Sequence, residues 1–203
     1  MEKPERVAVT RLERGAALID LAFACGLAGL IAAIAVPAVH ASRERDAVRV
    51  AARYVAHRLQ AVRLEALRRN VCVAVRFDPN DIGRFGVYTD GDGDGVLQAD
   101  IDGGIDRALA PEARLAELFD TVAFRIPTDI PDPDSGVVLA ANSDPLRLGS
   151  SNFVSFSPLG SSTSGTLYLS AAAGGQMAVR IMGATGRLRV LRFEPSARQW
   201  REE

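Results

Sequence analysis

The chain has 203 residues, 48% hydrophobic and 24% charged, so it can bury a core and is not a disordered chain. Its formal net charge of −1 gives no overall preference for nucleic acid or for an acidic partner. Two cysteines, Cys25 and Cys72, lie in segments of different character and predict no disulfide, and no cysteine–histidine cluster predicts a zinc site.

An uncharged run of 19 residues extends from Leu21 to Val39, close to the ~20 residues that cross a bilayer as a helix. A secretory signal peptide has a shorter apolar region followed by a cleavage site, whereas this run continues into a charged, periodic segment. A buried core helix is rarely apolar on every face over such a length. The run therefore predicts a transmembrane helix, and the preceding Arg11 and Arg14 predict a cytoplasmic amino end.

One carboxylate, that of Asp20, directly precedes the uncharged run. An acid in the middle of a membrane helix costs roughly 2.5–3.5 kcal/mol and is usually functional, and the cost is lower near the helix end. If the chain is cut after Gly15, the new amino group of Ala16 lies about one helical turn from Asp20. We expect that ammonium group, on the same or a neighbouring subunit, to neutralise the carboxylate.

Gly15, the following Ala-Ala-Leu-Ile-Asp-Leu and an apolar run ending in Ala-Ile-Ala-Val-Pro37 resemble the class III signal of type IV pilins and type II secretion pseudopilins. The resemblance implies that residues 1–15 are a leader, that a prepilin peptidase cuts after Gly15, and that the new amino group of Ala16 is methylated. It implies an assembly role for Asp20, where the family usually has glutamate. Pro37 matches the family proline and is expected to kink the helix.

After Val39 the chain becomes charged, and no turn signal appears before Asn70. Apolar residues recur there with spacings of four and three, which predicts one stripe of an amphipathic helix. The stripe consists of Val48, Ala52, Val55, Leu59, Val62 and Ala66. We predict one helix over 16–69, with 16–39 in the membrane and 40–69 packed on a globular domain. The arginines around the stripe are interpreted as a solvated helix face.

From Val71 onward the hydrophobic period changes to two, which predicts β-strands. The predicted strands are 71–77, 85–89, 122–126, 136–140, 152–157, 165–170, 177–182 and 188–193. Residues 106–152 contain five prolines and are predicted to be mainly a variable loop region. A helix followed by strands predicts an α+β fold, in which residues 70–203 form a globular antiparallel sheet domain with one face covered by the helix.

Two motifs near the carboxyl end extend the resemblance to a subgroup. Phe156, Pro158 and Gly160 form a Phe-x-Pro-x-Gly pattern before a predicted strand, and Gly186-Arg187 closes a predicted hairpin. Together they resemble the minor pseudopilins and minor pilins of the GspH/FimT type. The resemblance implies a pilin-like fold, with a long amino-terminal helix on an antiparallel sheet domain.

The most chemically distinctive stretch is "TDGDGDGVLQADIDGGID", residues 89–106. Asp90, Asp92 and Asp94 alternate with glycines, as in the opening of a calcium-binding loop. The twelfth residue of an EF-hand register is Ile101 rather than glutamate, so Asp100 is predicted to close the site, without flanking helices. Ca²⁺ is the one cofactor that the sequence suggests, and the alternative interpretation is a solvated acidic turn.

Arg187 and Arg189 alternate onto one face of the last long predicted strand. Paired arginines suit phosphate oxygens, and a Gly-Arg-x-Arg element resembles that of minor pilins that bind DNA for uptake. Secretion pseudopilins have a Gly-Arg hairpin as well, where it is structural, and few aromatic residues accompany these arginines. DNA binding through Arg187 and Arg189 is therefore the alternative hypothesis.

The resemblance implies a structural subunit of a type II secretion pseudopilus or a type IV pilus, acting in protein secretion. The expected partners are other pseudopilins or pilins, the prepilin peptidase and the bacterial inner membrane, crossed once with the globular domain in the periplasm. DNA uptake in natural transformation is the alternative, and a membrane-anchored β-domain unrelated to filaments is a third interpretation. No nucleophile or acid–base pair is recognisable, so we predict that the protein is not an enzyme.

Overall fold

The computed structural model describes residues 7–149, 151–172 and 174–203, with side chains from Asp20 onward except at 36–38, 40–42, 44 and 45. The chain forms two compact units, Met1–Arg43 and Glu44–Glu203. Helix α1 runs from Val7 to Arg69 and thus begins earlier than the predicted residue 16, while its end is as predicted. In the described part of the chain no helix is long and apolar enough to cross a membrane.

The second unit contains twelve strands and two short helices in the described residues. Their bounds are β1 Val73–Phe77, β2 Arg84–Thr89, α2 Gln98–Gly103, β3 Arg107–Arg114, α3 Leu115–Leu118, β4 Val122–Phe124, β5 Ile130–Pro131, β6 Val138–Leu139, β7 Leu146–Arg147, β8 Phe153–Phe156, β9 Gly165–Ala171, β10 Gly174–Met182, β11 Arg187–Glu194 and β12 Gln199–Glu202. The fold is α+β with antiparallel strand pairs, as predicted.

These strands form two larger sheets, a division that the sequence left open. The four-stranded sheet has the order β3-β2-β1-β8, and the six-stranded sheet has the order β12-β11-β10-β9-β4, with β7 also paired to β9. Strands β5 and β6 form a separate two-stranded sheet. The α1 stripe packs against residues of both larger sheets in one core, for example Val75 of the first and Val179 of the second.

The predicted helix stripe is confirmed, since its members are all buried. Val48, Ala52, Val55, Leu59, Val62 and Ala66 expose between 0% and 5% of their surface. Every fully buried apolar residue of the described chain lies between Val48 and Ile181, so the unit Glu44–Glu203 contains its own hydrophobic core.

A second, smaller core lies under the segment that carries β5 and β6. Tyr168 is fully buried there and donates a hydrogen bond of 3.1 Å to the Asp132 carboxylate. Trp200 packs near Tyr168 and donates from Nε1 to the carbonyl oxygen of Pro131 at 2.7 Å. Burial acts to raise the pKa of Asp132, but hydrogen bonds from Ser135, Asp134 and Tyr168 outweigh it and lower that pKa. This segment is therefore fastened over the sheet by side chains.

Residues 106–152, predicted to be mainly a variable loop region, contain regular elements beyond the strands predicted there. The region contains the eight-residue strand β3, helix α3 and strands β4 to β7. Strand β3 is an edge strand, two register shifts interrupt its pairing with β2, and the burial of its residues does not alternate. Pro111 lies in this edge strand, a position that tolerates a residue without a backbone donor. The expected strand over 136–140 is reduced to Val138–Leu139.

Candidate functional site

The acidic loop, residues 90–106, connects β2 to β3 and brings three of its aspartates together. Asp90, Asp92 and Asp94 each offer a carboxylate oxygen, and these oxygens lie within 4.8 Å of one another. Asp90 is buried, whereas Asp92 and Asp94 are exposed. The alternating pattern in the sequence therefore places the three side chains in a group with the size and the oxygen donors of a cation site.

Asp90 organises the backbone of this loop. Its Oδ1 accepts hydrogen bonds from the backbone N–H groups of Asp92 at 3.1 Å and Gly93 at 2.6 Å, and its Oδ2 accepts one from Gly95 at 3.0 Å. Gly93 and Gly95 have φ angles of 98° and 105°, a conformation that glycine adopts at little cost. The alternating glycines thus let the loop curl around the buried carboxylate.

Asp100 does not belong to the group of three that the structure assembles. It lies in the first turn of α2, a short helix that the sequence did not predict within this loop. Burial, followed by the negative charges of Asp92, Asp106 and Asp90, raises the pKa of Asp100. Burial and the neighbouring Asp92 likewise raise the pKa of Asp94. Burial and the neighbouring carboxylates therefore both act against the ionised forms of Asp94 and Asp100.

A fifth carboxylate, that of Asp106, supports the loop and was not among the predicted site residues. Asp106 is 3% exposed and accepts hydrogen bonds from the backbone N–H groups of Gly91 at 3.0 Å and Leu97 at 2.9 Å. A Cβ atom on Gly91 would lie 2.2 Å from the carbonyl oxygen of Ile105, so only glycine fits this close approach. The sequence offers no signal for this role, because Asp106 looks like one more acid in a polar turn.

Helix α2 anchors the far side of the loop to the four-stranded sheet. Val96 is buried, and the half-buried Ile101 packs with it against Ala74 and Tyr88. Gln98, the ninth residue of the EF-hand register, accepts a hydrogen bond of 2.7 Å from Arg76 Nε and donates one of 2.8 Å to Asp102. The Gln98 side chain is therefore engaged away from the three grouped aspartates.

Arg187 and Arg189, the predicted alternative site, both lie on β11, where the alternation of a strand places them on one face. Arg189 is directly opposite Arg180 of β10, and its Nε atom is 3.7 Å from Glu202 Oε2. Arg180 in turn forms an ion pair with Asp134. Carboxylates thus lie among the arginines of this face and weaken the attraction of the face for a polyanion such as DNA.

The predicted processing and assembly residues lie on or near α1. At Gly15, Ala16 and Pro37 the structure describes the backbone only, and the side chain of Asp20 is exposed. The backbone is helical at each of these four positions. Cleavage after Gly15, the kink at Pro37 and the docking role of Asp20 stay predictions.

Comparisons with known proteins address the class of protein. The sequence profile of the family described as type II transport protein GspH matches residues 51–186, more than half of the chain. A crystal structure of the minor pseudopilin EpsH from the type II secretion system of Vibrio cholerae is similar at 16% identity, with a TM-score of 0.45, over 72% of this chain and 94% of that chain. A comparison with curated proteins gives no match.

The match extends from within α1 to Gly186 in the hairpin between β10 and β11, and so includes the Phe-x-Pro-x-Gly motif and the glycine of the Gly-Arg motif. The chain belongs to the GspH family of type II transport proteins. The resemblance that the sequence motifs indicated is thereby confirmed at the level of the family.

Proposed function

We propose that this protein is a minor pseudopilin, a structural subunit of the pseudopilus that serves type II protein secretion. The observation that carries the proposal is the match of the GspH family to residues 51–186. A structural rather than a catalytic role agrees with that family. The partners on this proposal are other pseudopilin subunits in the same filament.

The amino-terminal unit has the properties that such a subunit needs before assembly. Nineteen residues from Leu21 to Val39 carry no charge, and large apolar side chains such as Leu21, Phe23 and Ile34 are 60–75% exposed on α1. Exposed apolar side chains of this kind favour an apolar surrounding. We propose that this surrounding is the inner membrane in the precursor and neighbouring subunits in the filament, with the globular unit in the periplasm.

Processing by a prepilin peptidase provides the direct test of this proposal. In cells with an active prepilin peptidase, we expect mass spectrometry to find a mature chain that begins at Ala16 with a methylated amino group. A Gly15→Arg variant is expected to keep Met1, because a bulky cation replaces the residue at the cut. An Asp20→Ala variant is expected to be cleaved yet absent from sheared filaments, because the Ala16 ammonium group then lacks its counter-charge.

The matched control is Leu118→Ser, which changes an exposed side chain of the globular unit and should leave both processing and incorporation unchanged. An intact Met1 in the wild-type chain would contradict the pseudopilin proposal. Normal incorporation of the Asp20→Ala variant would show that the acid is incidental.

We also propose that the acidic loop binds Ca²⁺ through Asp90, Asp92 and Asp94, with Asp100 nearby. The support is the approach of three carboxylate oxygens within 4.8 Å and the raised pKa values of Asp94 and Asp100. A raised acid pKa means that the folded loop holds protons more tightly than the unfolded chain. Protonation therefore stabilises the folded loop below the ordinary pKa of 3.8, and this stabilisation is lost as the pH rises through the raised pKa.

Asp94→Asn is therefore expected to have opposite effects without and with Ca²⁺. At pH 7 in a chelator, the variant should unfold at a higher temperature than the wild type, because it removes a charge repelled by Asp92. With millimolar Ca²⁺ the order should reverse, because a ligand is lost. Asp120→Asn, at an exposed position outside the loop, is the control for a general change in charge. Calorimetry without heat on addition of Ca²⁺ to the wild type would rule out the site.

DNA uptake through Arg187 and Arg189 stays the alternative prediction for the same chain. The family match supports a transport role, and Glu202 and Asp134 lie among the arginines of this face. We therefore place DNA binding second to filament assembly.

A further inference from the structure

The two carboxyl-terminal motifs meet in the structure. The Phe-x-Pro-x-Gly motif leads into the turn Ser157–Ser162, and the Gly-Arg motif lies at the end of the turn Met182–Gly186. We name the two turns together the loop–hairpin junction. Ser162 donates a backbone hydrogen bond of 2.7 Å to the carbonyl oxygen of Gly183, which ties one turn to the other. The motifs therefore describe one structural element rather than two separate ones.

Glycine at position 186 is required by this contact. Its φ angle is +60°, and a Cβ atom there would lie 2.8 Å from the carbonyl oxygen of Gly160 and 2.9 Å from Arg63 Nε on α1. Gly160 has a φ angle of +91° and closes the first turn by donating to Ser157 at 3.0 Å. The junction is thus packed tightly against the helix and has a defined conformation.

This defined turn holds an apolar side chain out into solvent. Leu159 is 93% exposed, the largest exposure among the large apolar residues described. Hydrogen bonds on both sides fix its backbone: Leu159 N–H donates to Ser157 Oγ at 3.1 Å, and Ser157 N–H donates to the carbonyl oxygen of Ser161 at 2.8 Å. A leucine held in this way contributes nothing to the core and is available for contact with a partner.

The neighbouring residues add a second apolar side chain and a positive charge. Met182, 37% exposed, ends β10 and is paired directly with Arg187 at the start of β11. Of the arginines near the junction, Arg180 and Arg189 are paired with Asp134 and Glu202. Among the described residues, neither Arg63 nor Arg187 forms an ion pair. The junction is therefore an apolar projection beside the unpaired charge of Arg187.

We propose that Leu159, Met182 and Arg187 form a docking surface for another filament subunit that presents an apolar pocket bordered by carboxylates. The inference rests on the proposed pseudopilin function and adds where on this subunit the partner binds. The positive charge of Arg187 selects an acidic partner, and methionine and arginine are enriched in protein interfaces relative to the rest of the surface. DNA is also acidic, but these three residues offer no aromatic ring for base stacking.

The test uses the full chain in cells that assemble the secretion filament. A photoreactive benzoylphenylalanine replaces the exposed Ser161, next to Leu159, and cross-linked products are identified by mass spectrometry. We expect a cross-link to another pseudopilin, reduced about tenfold or more by Leu159→Ser, the loss expected for removing a leucine from an apolar pocket. Arg187→Glu should reduce it as well. The same probe at the exposed Val137, in a different turn, is the matched control.

Equal yields at positions 161 and 137, or a yield unaffected by both Leu159→Ser and Arg187→Glu, would overturn the docking surface. A low-salt gel shift of the full chain that depends on Arg187 but not on Leu159 would also overturn it, in favour of DNA. The amino-terminal analysis separates the two proposals. Correct cleavage and filament incorporation without a cross-link refute the docking surface alone, whereas an intact Met1 refutes the pseudopilin function itself.

Discussion

Replacement of Phe77 by alanine is expected to lower the free energy of unfolding of the unit Glu44–Glu203 by about 3–5 kcal/mol. Phe77 lies at the end of β1, is 2% exposed, and its ring meets that of Phe124 edge-on at 5.5 Å. Phe124 belongs to the six-stranded sheet, so Phe77 joins the two sheets beneath α1. The substitution removes the apolar contact and leaves a cavity that the surrounding side chains can only partly fill.

Urea unfolding followed by circular dichroism measures this change. Leu159→Ala serves as the control, because an almost fully exposed leucine should change the free energy of unfolding by no more than about 0.5 kcal/mol. Equal, small effects of both substitutions would contradict the common core under α1 as the main source of stability.

Asp106→Ala is expected to cost about 2–4 kcal/mol, because two backbone N–H groups lose a charged acceptor inside the acidic loop. Gly91 and Leu97 are 15 and 9 residues away along the chain, so Asp106 closes the loop on itself. Amide hydrogen exchange at Gly91 and Leu97 should accelerate in the variant. The proposed binding of Ca²⁺ should weaken in the same variant, because it relies on the ordered loop.

The control for Asp106→Ala is Asp102→Ala, which removes an exposed carboxylate that accepts a hydrogen bond from the Gln98 side chain. It should change stability by no more than about 0.5 kcal/mol and leave the protection of Gly91 and Leu97 intact. Unchanged exchange at these two amides in Asp106→Ala would show that the carboxylate does not hold the loop.

The acidic loop shows how far the residues of a candidate site can be read from a pattern. The alternation of aspartate and glycine predicted that Asp90, Asp92 and Asp94 converge, and the structure brings them together. It did not indicate that Asp90 is already engaged by three backbone donors, or that Asp100 lies in the first turn of a helix outside the group. Such details depend on the path of the backbone, which a motif of six residues does not specify.

The fold, too, was predicted from the sequence only in part. Spacings of four and three along α1 identified its buried stripe, and alternation identified most of the longer strands. Strand β3 was missed, because an edge strand with two register shifts and Pro111 buries no regular face. The division of the strands between two sheets was left open, since alternation identifies the buried face of a strand but not the sheet to which the strand belongs.

The sequence by itself determined the family, the stripe of the amphipathic helix and the aspartates of the acidic loop. Each of these depends on residues close together in the chain, where spacing directly encodes which side chains share a face or a turn. The tertiary structure alone decided that Asp106 closes the loop, that Phe77 joins two sheets, and that Gly160 meets Gly186 beside Arg63. These contacts link distant parts of the chain, and packing selects them from many pairings that the local sequence equally allows.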